Sequence, residues 1–274
     1  MVIDRFNGDD ESYILYLLEV YKRISNKQLC QELNLSTSTV RKKLAKMEEK
    51  GLLIRTHGGA ASTDADRDET FAKKLRINMP HKKAIASLAT RFIREGETIS
   101  LGGGSTVAEL SPYLLRMNRS VILTNSTVLA SQIASNRKLE IHINSGIVRG
   151  RTGCVVGPSS ELLFNSYQAD KAFVGCDAFN LHIGAGSDNI LVGRVERCML
   201  EHAKERYILC DSTKLNQEGL FKCADLREIT ALFTDEEANP DYIEQLRANG
   251  LTVYIAPIPR PSHGTASIFD IKTP

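Results

Sequence analysis

No apolar run in this 274-residue chain reaches the ~18–20 residues needed to cross a bilayer, and Met1 to Asp10 is polar and acidic, without the apolar stretch of a secretion signal. A soluble protein of the cytoplasm is the expectation, with no membrane partner. The six cysteines, Cys30, Cys154, Cys176, Cys198, Cys210 and Cys223, form no C-x-x-C pair and mostly lie inside apolar stretches such as Tyr207 to Cys210. They read as reduced core residues, not as a disulfide framework. No spacing of His, Cys and carboxylates matches a metal site, no G-x-x-x-x-G-K-[ST] occurs, and no repeat or low-complexity segment is present. Metal and nucleotide cofactors are therefore not expected. What is present is a globular composition, 42% hydrophobic and 25% charged, at a length that favours two domains.

The net charge of +2 is unevenly placed. Residues 1–60 hold ten Lys and Arg against eight Asp and Glu, and the 25 basic and 25 acidic residues that follow cancel. Within the first stretch, Arg41, Lys42, Lys43, Lys46, Lys50 and Arg55 face only Glu48 and Glu49 between Ser36 and Ala60. Such clustering suits a phosphate backbone, although a solvated helix face carries similar charge.

The same stretch reads as three helices and a wing. Ile14, Leu15, Leu17, Leu18 and Tyr21 form one apolar stripe, and Ser25 caps a second helix that buries Leu29, Cys30 and Leu33. Asn34 tolerates the left-handed turn, and Ser36 caps a third helix running to about Lys50 with Val40, Leu44 and Met47 inward. Its outer face carries Thr37, Ser38, Thr39, Arg41, Lys42 and Lys43. Short hydroxyls near the N-terminus followed by cations suit a recognition helix, with Lys42, Lys43 and Lys46 on phosphates and Ser36 to Thr39 and Arg41 on bases or backbone. Leu52 to Gly59 reads as a wing whose Arg55 and His57 add grip. A helical dimerisation module is the other use of such a unit. The expected domains are a winged helix-turn-helix over 1–60, a small, polar, acidic linker over 61–70, and an α/β domain over 71–274.

From Thr98 onward short apolar runs at Thr98–Leu101, Ser120–Thr124, Leu139–Asn144, Lys171–Cys176, Arg206–Cys210, Ile229–Thr234 and Thr252–Ala256 alternate with helical patterns. One of these starts near Val195, and Phe71 to Arg94 reads as a helix broken at Pro80. The alternation predicts a doubly wound, mostly parallel sheet with helices on both faces. The strand ends are polar or glycine-rich, and in such a sheet they line the ligand crevice. Gly102-Gly103-Gly104-Ser105-Thr106 is the sharpest of them. Its backbone N–H groups, two hydroxyls and the start of the next helix suit a phosphate, although a tight strand-to-helix turn uses glycine in the same way. A dinucleotide fingerprint is excluded, because the third glycine would fall on Val107. Lys214 reads equally as a ligand contact or a surface lysine, and His142 and His202 as structural residues.

On these residues the chain resembles the DeoR family of bacterial transcriptional regulators. The resemblance runs through Gln31-Glu32-Leu33, Ser36-x-x-Thr39-Val40-Arg41-Lys42-Lys43-Leu44 and Glu48-x-x-Gly51-Leu52-Leu53-x-Arg55-x-His57-Gly58-Gly59-Ala60. It continues in Lys82, Gly104-Ser105-Thr106, Thr124-Asn125, Asp170-x-x-Phe173, Asp211-Ser212-Thr213-Lys214 and Thr234-Asp235. It implies a sensor domain related in fold to ribose-5-phosphate isomerase, a phosphorylated sugar or polyol as effector, and repression of a sugar catabolic operon. The effector's phosphate is then expected at Gly103 to Thr106, with Lys82, Thr124, Asn125, Gly146, Asp177, Asp211 and Lys214 around it. A homo-oligomer, dimer or tetramer, is expected on operator DNA, since one short helix reads few base pairs. The pattern departs at Lys43, where the family carries an acid, at Gly102, where it carries Asp, and at Ser145-Gly146, where it carries two glycines. The rival reading is a phosphosugar isomerase with an appended helical domain, using Asp177 or Asp211 as base beside Lys214.

Overall fold

A computed structural model describes residues 9–21, 23–56, 58–62 and 71–259. His57, residues 63–70 of the expected linker, and residues 260–274 lie outside the described residues. The first unit runs α1 (Asp10–Tyr21), β1 (Arg23–Ser25), α2 (Asn26–Leu33), α3 (Thr37–Glu49), β2 (Leu53–Thr56) and β3 (Gly59–Ser62). Local chemistry sets each boundary. The Ser25 hydroxyl accepts from the Gln28 N–H at 3.2 Å while the Gln28 side chain accepts from the Ser25 N–H at 3.1 Å, a reciprocal cap. Asn34 turns the chain at φ 53°, and the Ser36 hydroxyl accepts the Thr39 N–H at 3.2 Å to start α3.

Ile14, Leu29, Val40, Leu44 and Met47 are buried together beneath a three-stranded antiparallel sheet in the order β1-β3-β2. The sequence showed only the β2–β3 pair, because three residues of β1 are too few to display alternation. β1 explains Gly59: a Cβ there would lie 2.0 Å from the Ile24 carbonyl oxygen. β3 continues to Ser62, two residues past Ala60.

The second unit opens with α4 (Phe71–Arg76) and α5 (Met79–Ala89). The break between them falls at Asn78, in the left-handed region at φ 53°, and Pro80 sits in the first turn of α5, which tolerates a missing N–H. There follow β4 (Thr98–Leu101), α6 (Ser105–Ala108), α7 (Ser111–Leu114), β5 (Val121–Thr124), α8 (Thr127–Ile133), β6 (Glu140–Ile143), β7 (Ile147–Val148), β8 (Val155–Val156), α9 (Pro158–Asn165) and β9 (Ala169–Val174). The described residues end with β10 (Ala178–Asn180), β11 (Gly184–Ser187), α10 (Ile190–Glu201), β12 (Ala203–Leu209), β13 (Phe221–Ala224), β14 (Ala231–Asp235), α11 (Pro240–Ala248) and β15 (Thr252–Ala256). Seven strands, all parallel, form the main sheet in the order β15-β14-β12-β9-β4-β5-β6.

Alternate residues of these strands feed two cores. Val174 and Ile208 join Phe164, Val195 and Met199 on one face, while Phe173, Tyr207 and Leu209 join Ile85, Ile99 and Val107 on the other. A small antiparallel sheet, β10-β11-β13, and the β7–β8 hairpin were not expected, because Gly184-Ala185-Gly186-Ser187 has no hydrophobic alternation to read.

The two units touch. Tyr16 of α1 packs on Cys154, Val156 and Leu191, and Arg194 of α10 binds Glu161 at 2.9 Å and approaches Asp9 at 3.9 Å. In the first unit, Leu44 is 1% exposed between α1, α2 and the sheet. Leu44→Ala should therefore lower stability in urea unfolding by about 2–5 kcal/mol; a loss under about 1 kcal/mol would show that this core is not formed.

Candidate nucleic-acid interface and ligand cavity

Viewed along α3, Thr37, Ser38, Arg41, Lys42 and Lys46 fall on one face by the 3.6-residue period, opposite Val40, Leu44 and Met47. All five are exposed, as is Ser36, and Thr39 lies half-buried at the edge. The Ser36 hydroxyl is within 2.8 Å of the Ser38 and Thr39 hydroxyls, so the N-terminal turn is a compact cluster of hydroxyls. The cations divide into two groups. Lys43 reaches Asp10 at 2.9 Å and Lys50 reaches Glu11 at 2.8 Å, both tying α3 to α1, and Arg55 on β2 lies 3.6 Å from Glu48. Among the described residues Arg41, Lys42 and Lys46 have no ion-pair partner. The sequence counted six cations; the structure leaves three of them unneutralised, and all three share the outer face.

The second site follows from strand order. β5 and β6 extend the main sheet on one side of β4, while β9, β12, β14 and β15 extend it on the other. The winding therefore reverses between β4 and β9, and the loops leaving those two strands part and open a crevice. Gly104 and Gly175 sit on its two lips, so close that a Cβ on Gly104 would lie 3.4 Å from the Gly175 Cα. The cavity that opens there is lined by Gly103, Gly104, Ser105 and Thr106 after β4, Cys176 and Asp177 after β9, and Asp211 and Lys214 after β12. Among the described residues, the backbone N–H groups of Gly103, Gly104, Ser105 and Thr106 donate to no protein acceptor. The helix they lead into, α6, is a single turn of four residues. It contributes free N–H groups but little of the dipole expected from a longer helix.

Lys82 is 4% exposed, and its ammonium donates to the carbonyl oxygens of Lys74 and, at 2.7 Å, Ile77. Burial holds its pKa below the usual lysine value, against the pull of Asp211 and with the nearby Lys214 and Lys74 adding to the lowering. Lys214 is half-buried in the cavity wall, and its ammonium has no hydrogen-bond partner among the described residues. Asp211 accepts from the Thr213 N–H at 3.2 Å and from the Asn78 amide at 3.3 Å. Asp177 accepts from Lys74 at 2.9 Å and from the Asp188 N–H at 3.0 Å. Burial alone would raise its pKa; Lys74 and that N–H outweigh it and hold the carboxyl below its usual range.

Three of the expected ligand residues do not line the cavity. The Thr124 hydroxyl donates to the Leu101 carbonyl at 2.7 Å and accepts from the Ser126 N–H, fixing the ends of β4 and β5. Gly146 makes the turn between β6 and β7 at φ 148°. Asn125 is fully buried beneath the β4 loop, and neither its amide oxygen nor its nitrogen has a partner among the described residues. A Cβ on Gly103 would lie 3.4 Å from that oxygen.

Sequence reasoning missed Lys74 on α4, Cys154, Asn189 and Glu196, all of which line the cavity. Glu196 is 5% exposed on α10. Burial, reinforced by the Asp177 charge and only partly offset by Lys74, pushes its carboxyl up to about 8.

Residues 77–236 match the model of the DeoR C-terminal sensor domain, and residues 11–66 match the DeoR-like helix-turn-helix domain. The chain belongs to the DeoR family. It is a transcriptional regulator with a DNA-binding unit and a sensor unit. It is 30% identical over 230 residues to the HTH-type transcriptional regulator GlpR of Haloferax volcanii, covering 84% of this chain and 90% of that one. It is also 30% identical over 243 residues to the HTH-type transcriptional repressor GlcR of Bacillus subtilis, covering 88% and 93%. The repressor CsqR of Escherichia coli is 29% identical over 76% of this chain and 80% of its own length. Among solved structures, a D-ribose-5-phosphate isomerase is similar over 49% of this chain and 52% of that one, at 20% identity and a TM-score of 0.37. With regulators as the relatives, the isomerase alternative is set aside.

The DeoR-family sensor unit thus holds a buried acid that is protonated when folded and ionised when unfolded near neutral pH. Stability tied to Glu196 is complete below its unfolded pKa and is lost as pH rises toward 8. In urea unfolding between pH 5 and 8, the wild type should lose up to about 1.4 kcal/mol per pH unit more than Glu196→Gln. Equal slopes would contradict the assignment.

Proposed function

We propose that this DeoR-family regulator is a repressor of a carbohydrate catabolic operon, released from operator DNA by a phosphorylated sugar or polyol bound at the β4–β9 crevice. The observation that carries the effector reading is the set of four free N–H groups at Gly103 to Thr106, with Lys82 and Lys214 in the same cavity. Free donors converging beside cations suit a dianionic phosphate. The orphaned amide of Asn125 beneath the loop adds a polar group with no other use, and Asp177 and Asp211 supply acceptors for hydroxyls.

On DNA, Lys42 and Lys46 neutralise phosphates, while Arg41 and the hydroxyls of Ser36 to Thr39 reach base edges or backbone. Lys43 and Lys50 hold α3 against α1. Arg55, with His57, extends the contact from the wing. The working form is a cytoplasmic homo-oligomer whose paired readers occupy symmetric half-sites. The expected division at 1–60 and 71–274 moves to Ser62, where β3 ends, and the linker is the stretch from there to Phe71. Helix α10 joins the sites as well, since Asn189, Val192 and Glu196 line the cavity while Leu191 and Arg194 meet α1. The GlcR relative is named a repressor, which favours release over recruitment.

A duplex selected from a random pool provides the test on DNA. Lys42→Ala should lower the slope of log affinity against log salt by about one, and Lys43→Ala should leave it nearly unchanged. Equal effects would refute the division of cations. A sugar phosphate that releases the duplex should weaken binding by about 5–150-fold, a coupling of about 1–3 kcal/mol. Lys214→Glu should abolish that release without altering ligand-free retention; full release by the variant would remove the crevice as the effector site.

A further inference from the structure

The effector reading leaves Glu196 without a role, and its surroundings give it one. It stands in mid-helix on the buried face of α10, in the wall of the cavity that holds the four free N–H groups. The only hydrogen bond its carboxyl receives among the described residues is a weak one, from the Cys223 thiol at 3.8 Å. The cation that could neutralise it, Lys74 on α4, is engaged with Asp177. The remaining groups that face it are Asp177 after β9, of like charge, and the thiols of Cys154 and Cys223. Burial pushes the Cys154 thiol up to about 11 and raises the Cys223 thiol as well, so both stay neutral across the physiological range. A carboxyl buried beside a like charge, whose nearby cation is already paired with that charge, is a neutral acid, with one O–H to donate and one oxygen to accept. That pair matches a hydroxyl, which also donates and accepts. An amino group, being a cation, would have to share the space with the Lys74 ammonium.

We propose that Glu196 is a specificity-determining residue of the cavity, reading the hydroxyls of a phosphorylated neutral sugar or polyol and disfavouring an amino sugar phosphate. The proposal rests on the assignment of the cavity to a phosphorylated effector.

The test is calorimetric titration of the full-length protein with glycerol 3-phosphate, ribose 5-phosphate, glucose 6-phosphate, fructose 6-phosphate and glucosamine 6-phosphate, with inorganic phosphate as an anion-only probe. Titrations run from pH 7 to 9, where the phosphate is already a dianion. With only the neutral acid competent, the tightest sugar phosphate should weaken about tenfold over that range. Glu196→Gln should bind at every pH about as the wild type does at pH 7. Glu196→Leu should bind it about five- to tenfold more weakly throughout, the loss of one hydrogen bond. Inorganic phosphate should bind all three proteins alike. A binding curve that Glu196→Leu leaves unchanged would overturn the proposal. So would tightest binding of the amino sugar phosphate, strengthening with pH and lost in Glu196→Gln. If inorganic phosphate and all five organic phosphates fail to bind the wild type, the effector assignment itself falls, and the proposal with it.

Discussion

The reversal of strand order between β4 and β9 is the constraint on which the rest of the sensor unit depends. Parallel strands must be joined by crossovers, and crossovers on the two sides of β4 leave in opposite directions. The two loops at the reversal cannot both cover the strand ends. What closes the gap is backbone against backbone, Gly104 against Gly175, and what remains is a row of N–H groups with no partner among the described residues. Buried or half-buried donors without acceptors are costly, which is the physical argument for the proposed anion site at this row.

The electrostatics of both units separate charges paired within the fold from charges left open; of the proposed contacts, Arg55, paired with Glu48, and Asp177, paired with Lys74, belong to the first set. On α3 the paired cations, Lys43 and Lys50, face α1, and the unpaired ones face outward. In the cavity Lys74 is matched to Asp177, while Lys214 and the loop N–H groups are open. Helix α10 stands between the two, with cavity residues on one side and the Tyr16 contact on the other. A ligand that prefers one setting of α10 therefore has a direct path to α1 and through it to α3.

Much of this was legible in the sequence. The capped helices of the first unit, the seven parallel strands and the Gly102–Thr106 loop all announce themselves through periodicity and cap chemistry, because these signals are local. β1 and the β10-β11-β13 sheet were hidden, being too short or too rich in glycine and alanine to alternate. The pairing of Lys43 with Asp10 was hidden as well, since nothing in the spacing of residues 33 apart says that they meet. Glu196 was hidden by a boundary. A helix starting near Val195 puts an acid in its first turn, where acids are commonplace; the helix starts at Ile190, and the same acid then lies in mid-helix on the inner stripe with Leu191, Val195 and Met199.

The most direct measurement is a crystal structure of the full-length protein with a bound sugar phosphate. The account predicts the phosphate oxygens within hydrogen-bonding reach of the Gly103 to Thr106 N–H groups, with the Lys214 ammonium against them and the carbon chain running toward Asp177. A phosphate seated elsewhere, with those four N–H groups still unpartnered, would contradict it.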